Sequence, residues 1–153
     1  MDITLADECE DPLPSEPLVE LARVAMQAED LPASTQLSIT LVGDAQMSKL
    51  NAEYMEKSGP TDVLSFPIED LSGGVRTVSP GEPPLLLGDI VICPSVVRAN
   101  AASAAVAFED EMALMVVHGV LHLLGRDHVI DAEAEAMEQR EREILALMGR
   151  KRP

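Results

Sequence analysis

Residues 111–128 read EMALMVVHGVLHLLGRDH, and from Met112 to Leu124 every residue except His118, Gly119 and His122 is apolar. A helix apolar round its whole circumference is buried on all sides. The segment from about Glu109 to Leu124 therefore predicts the central helix of the fold, with the other elements arranged about it. The same stretch holds all three histidines of the 153-residue chain. His118 and His122 are four residues apart, stacked on one helix face, and can aim two ring nitrogens at one ion. Gly125 then ends the helix. A glycine past the last turn takes the left-handed conformation that reverses the chain, which brings His128 back towards the same point. This gives three neutral ligands and one open position, the arrangement of catalytic zinc with its bound water; structural zinc is closed by four ligands, usually including cysteine. The plainer reading makes each histidine a hydrogen-bonded core residue. It needs three separate polar partners in an apolar setting, where each unsatisfied group costs about 1–3 kcal/mol.

Outward from that helix the chain alternates strands and helices. ITLAD, residues 3–7, alternates as a strand, and Pro17 opens a helix to about Glu29 at a position that needs no N–H. Gln36 to Val42 alternates again, with Leu37, Ile39 and Leu41 on one face, and Asp44 predicts an N-cap for a helix to about Met55. Ser58-Gly59-Pro60 forces a turn. Val63 to Ile68 is a short strand whose Pro67 belongs at a sheet edge or strand end. Residues 70–84 read as a surface loop. Leu85 to Cys93, LLLGDIVIC, predicts a central strand, and Pro94 opens an alanine-rich helix to about Val106. Asp131 predicts the N-cap of a last helix that stops at Gly149, with Ala134, Met137, Ile144, Leu145 and Met148 facing the core and residues 138–143 a solvated face. The order implies an α/β (α+β) domain: one small mixed sheet of about four strands surrounded by helices.

Length fits a single domain over residues 1–153. Cys9 and Cys93 have no CxxC spacing and suit a reducing cytoplasm. No apolar run reaches 18 residues and the N-terminus has no basic, apolar leader, so a soluble cytoplasmic protein with no membrane partner is expected. The formal charge of −16 repels phosphate backbones. Tyr54, Phe66 and Phe108 are the only aromatic residues, too few for a platform that stacks several bases. Any RNA contact must then come from local basic residues, with candidates Lys49, Lys57, Arg76, Arg98, Arg126 and Arg150 to Arg152, each of which has an ordinary solvated side chain as its alternative.

His118, His122, Gly125 and His128 match the zinc-protease motif HExxHxxGxxH at every metal-binding position. The glutamate after the first histidine, general base of those proteases, is here Gly119. Zinc compensates in part, since it lowers the pKa of bound water to about 7 and polarises a phosphoryl oxygen. In RNA the 2′-hydroxyl is an internal nucleophile. Asp127 has two readings, a carboxylate orienting a histidine N–H or a turn-forming Asx. Glu111 likewise either lines the cleft or complements the helix dipole.

HGVLHLLGRDH, preceded by PTDVLSFP (60–67) and LGDIVIC (87–93), resembles the YbeY family of bacterial rRNA-maturation endoribonucleases. The resemblance spans about Leu37 to Met148. It implies a zinc-dependent single-strand endoribonuclease acting in 16S rRNA 3′-end maturation and ribosome quality control. His118, His122 and His128 would be the ligands of one Zn2+ per chain, acting through a zinc-bound water, with the TDVLSFP and GDI strands as cleft walls. Ser65, Arg98, Arg126 and Lys57 are the candidate substrate-binding residues. The implied partners are an rRNA precursor and the small ribosomal subunit, with a ribosomal protein or an assembly GTPase. Two positions depart from the family: Met55 stands where an arginine is common, and Arg126 where an aromatic is usual. Two other readings remain, a zinc hydrolase of a peptide or small molecule, which Gly119 disfavours, and a non-enzymatic ribosome-assembly factor, which the open ligand position disfavours.

Overall fold

In the computed structural model, which describes residues 1–153, four strands form one sheet: β1 (Asp2–Asp7), β2 (Gln36–Leu41), β3 (Val63–Pro67) and β4 (Leu86–Ile92). Their order is β1-β2-β4-β3. The first three in that order run parallel, with Ile3 opposite Leu37 and Ile39 opposite Ile90; β3 pairs antiparallel on the outside of β4, with Ser65 opposite Ile90. The mixed sheet and the inner position of β4 agree with the sequence reading. Pro67 ends the edge strand, where its missing N–H costs no ladder bond.

Five helices cover the sheet: α1 (Glu16–Ala28), α2 (Asp44–Met55), α3 (Pro94–Ala104), α4 (Phe108–Leu123) and α5 (Asp131–Leu147). Leu18, Leu21, Ala22, Ala25 and Met26 form the buried stripe of α1 at helical spacing. The apolar segment is the central helix α4, which packs on α1, α3 and α5 and on β3 and β4. Its charged residues Glu109, Asp110 and Glu111 are confined to the first turn, where they complement the helix dipole. One sheet face carries the main core, including Leu37, Ile39, Leu41, Ile90 and Ile92, under α1, α4 and α5. The opposite face has a smaller cluster of Val42, Met47, Leu64, Val91 and Cys93, to which α2 contributes Met47.

Three local expectations change. Asp44 and Asp131 are the first residues of α2 and α5 rather than their N-caps; Gly43 and Ile130 hold the cap positions without a side-chain bond. The Asp44 carboxylate accepts the Cys93 thiol instead, at 3.3 Å. Residues 138–143 are not wholly a solvated face, because Glu141 is buried and Arg140 reaches across to Glu29 and the Ala28 carbonyl.

Candidate metal centre

The chain reversal after α4 has a specific cause. Gly125 has φ +88°, its N–H bonds the His122 carbonyl and the Arg126 N–H bonds the Leu121 carbonyl. These are the two bonds of a Schellman termination, which a left-handed glycine makes possible. The turn carries His128 back over the helix. The ring centroids then lie 6.2 Å apart for His118 and His122, 5.5 Å for His118 and His128, and 6.3 Å for His122 and His128. Three imidazoles on one tetrahedral zinc, with Zn–N near 2.0–2.1 Å, would place their centroids roughly 5 Å apart. The three rings thus stand close to that spacing and slightly wider.

A cleft of about 260 Å³ opens over them, lined by Met55, Val63, Leu64, Ser65, Phe66, His118, His122, Asp127 and His128. Its far wall is the outer edge of β3. His122 also borders a second cavity, formed with residues 67–72.

The protonation of the site follows from its partners. His118 Nδ1 lies 2.9 Å from Glu141 Oε2, and Arg152 Nε donates to Glu141 Oε1 at 3.0 Å. Burial alone pushes the Glu141 carboxyl up, but the bonds from His118 and Arg152 outweigh it and hold it below the usual carboxylate range. An ionised carboxylate only accepts, so the Nδ1 of His118 carries a proton, and Nε2 is the ring atom left to meet an ion. This is the carboxylate–histidine arrangement that orients a metal ligand. Burial, then the neighbouring His118, lowers the pKa of His122, which keeps it neutral at pH 7. Its Nδ1 is buried with no hydrogen-bond partner in the protein. A neutral imidazole whose Nδ1 lacks a partner, beside two others and with no cysteine in the cleft lining, is the donor type a divalent ion takes through nitrogen. The three rings stand wider than a bound ion would hold them and do not form a closed ligand cluster.

Gly119 has a structural reason for being glycine. A Cβ there would lie 2.9 Å from both Cγ2 and Cδ1 of Ile90 on β4. The position faces the sheet, so no side chain could enter the cleft from it.

Of the candidate substrate-binding residues, Ser65 lines the histidine cleft and points its Oγ to the Gly119 carbonyl at 3.4 Å. Arg126 turns to Glu29 at 3.2 Å. Arg98 sits over the Phe108 ring at 3.9 Å and borders a separate cavity with Glu8, Cys9 and Asp44. Lys57 is exposed beyond the end of α2 and does not line the cleft. Asp127 does line it, and its Oδ1 accepts the His128 N–H at 2.7 Å as a turn residue would. Glu111 is half-buried in the first turn of α4 and away from the cleft lining; burial, then Asp62, raises its carboxyl pKa. Glu141 escaped the sequence reading, although it sits four residues after Met137 and three before Ile144, on the buried stripe of α5.

A family model described as Endoribonuclease YbeY matches residues 8–149. A relative named Endoribonuclease YbeY from Renibacterium salmoninarum is 42% identical over 154 residues, covering 100% of this chain and 97% of its own. One of the same name from Nocardia farcinica is 41% identical over 150 residues, covering 98% of this chain and 78% of its own. The solution structure of TM1509 from Thermotoga maritima superposes with a TM-score of 0.62 at 26% identity, over 96% of this chain and 91% of that one. No helix here is long and apolar enough to cross a membrane. With a match of this extent on both sequence and fold, the chain belongs to the Endoribonuclease YbeY family.

Proposed function

We propose that residues 1–153 work as one zinc-dependent endoribonuclease domain in the cytoplasm. Its substrate is single-stranded RNA: the 3′ region of a 16S rRNA precursor on the small ribosomal subunit, with ribosome quality control as the wider role. The observation that carries this reading is the convergence of His118, His122 and His128 on one cleft, with His118 oriented by a buried carboxylate. Membership of a family named for endoribonuclease activity supports RNA as the substrate.

His118, His122 and His128 would hold the ion. Bound there, zinc lowers the pKa of a coordinated water to about 7 and stabilises charge on a phosphoryl oxygen. The protein's part is positional. Glu141 fixes the His118 tautomer, burial keeps His122 neutral, and Ser65 can exchange its long bond to Gly119 for a phosphate oxygen or a 2′-hydroxyl. No carboxylate stands where a zinc protease keeps its general base, and RNA brings its own 2′-hydroxyl nucleophile. With so little free positive charge, a ribosomal protein or assembly GTPase would bring enzyme and RNA together.

The test is incubation of zinc-loaded protein with rRNA precursor and with casein, each with and without chelator. Chelator-sensitive cutting of RNA with intact casein is expected. Chelator-sensitive turnover of casein would overturn the choice of substrate.

A further inference from the structure

Tyr54 and Phe66 are two of only three aromatic side chains in the protein, and the fold pairs them where Phe66 and Met55, the neighbour of Tyr54, line the histidine cleft. Their ring centroids are 5.1 Å apart at an interplanar angle of 66°, an edge-to-face pair. Phe66 lines the cleft from β3, while Tyr54, on the last turn of α2, is 58% exposed. Beside it Met55, also lining the cleft, is 48% exposed. A large aromatic left this open in so aromatic-poor a chain is not there to fill the core.

The platform is also held in place. Asn51 is buried one turn before Tyr54; its side-chain amide donates to the Gly59 carbonyl at 2.9 Å and its own carbonyl accepts the Lys57 N–H at 3.3 Å. Glu56, directly after Met55, has φ +55°, a left-handed conformation uncommon for a residue with a Cβ. Such a conformation persists only where its surroundings over-determine it, and those two bonds supply the constraint. Tyr54 is thus an exposed ring on a constrained turn of backbone, packed edge-to-face on a cleft residue.

We infer that Tyr54, braced by Phe66, is a nucleobase-stacking subsite for the single-stranded RNA segment entering the histidine cleft. The inference rests on the RNA-cleaving reading of that cleft. It also answers a difficulty with that reading, because stacking needs no positive charge and every base offers a π-face. One ring beside the cleft takes one unpaired base, which a duplex cannot offer without unstacking it. The multi-base platform excluded by composition is not required.

The chain reports on this site itself. It has one tyrosine and no tryptophan, so intrinsic fluorescence comes from Tyr54 alone. Full-length protein is titrated, with chelator present to prevent cutting, with a short single-stranded oligoribonucleotide and with an abasic strand of equal length and charge. Free tyrosine serves as the absorbance control. Saturable quenching by the RNA and little by the abasic strand is expected, and the quenching is to persist without metal. In parallel, anisotropy of labelled RNA reads affinity: Tyr54→Phe should match wild type, and Tyr54→Leu should bind about 5- to 150-fold more weakly. Circular dichroism confirms that both variants fold. Equal quenching by the abasic strand, RNA binding without quenching, no RNA binding at moderate salt, where the repulsion is screened, or wild-type affinity in Tyr54→Leu would each overturn the subsite. Quenching as expected in a protein whose zinc-loaded form cuts no RNA would instead contradict the nuclease reading and leave the stacking site standing.

Discussion

Glu141 spends its charge inside the protein, between a ring nitrogen of His118 and the guanidinium of Arg152. Glu141→Gln keeps the shape and removes the charge, so zinc should bind about 10- to 100-fold more weakly, the usual size of such an outer-shell change. Competition with a chromophoric chelator measures it; unchanged affinity would mean that the carboxylate does not support the site. His122 makes a second prediction, on the metal-free protein. Its folded pKa is lowered, so as pH falls through about 6.5, the ordinary histidine value, the unfolded chain takes up this proton before the folded chain does. The contribution of His122 to stability must therefore fall from pH 7.5 to 5.5. Glu141, with its lowered pKa, contributes stability that is lost only further down, as pH falls through its folded value. Urea unfolding across that upper window should show a flatter pH dependence in His122→Asn than in wild type, and parallel slopes would contradict the assignment. The three histidines were legible in the sequence because spacing four and a following glycine are local signals. Glu141 was not, since a lone acid among the charges of EQRERE looks solvated until its place on the Met137–Ile144–Leu145 stripe is compared with that of His118, 23 residues away.

Among the elements, α4 does two jobs, filling the core and presenting the histidines, and Gly119 marks where the two meet. Gly119→Glu would install the carboxylate of the zinc proteases in the motif but drive it into Ile90. A buried, unpaired charge costs about 3–5 kcal/mol. Denaturant unfolding should show a loss of at least that order, with no gain of peptidase activity; a variant of wild-type stability would contradict the packing described for this face. The sequence revealed α4 as the central helix because it is apolar all round. That same uniformity hid which side meets the sheet, as no polar stripe marks the difference. The N-terminal boundaries of α2 and α5 were read one residue late for another reason: an aspartate suits both the cap and the first turn, and the choice rests on backbone angles.

For the molecule as a whole, a net charge of −16 sets how RNA can be met. Of the arginines, Arg23, Arg76, Arg126, Arg140, Arg142, Arg150 and Arg152 are all ion-paired with acids of the same chain, and Arg98 lies on Phe108. Besides Arg98, only Lys49, Lys57 and Lys151 are left without an acid partner, and the pairs of Arg126 and Arg140 with Glu29 and of Arg150 with Asp110 are invisible in the sequence because they join distant elements. Repulsion should then slow encounter with naked RNA, and salt should relieve it, since screening acts beyond about 8 Å at physiological ionic strength. Single-turnover cleavage of a short RNA at fixed zinc is expected to hold steady or rise from low to moderate salt. A steep fall, as counterion release gives for basic proteins, would show a phosphate-binding surface that this arrangement does not provide. All of this depends on the three histidines forming one metal centre. The most direct measurement is elemental analysis of the purified chain beside His118→Ala and His122→Ala. About one zinc per wild-type chain is expected, lost in each variant with the fold retained. Full zinc content in both variants would contradict it.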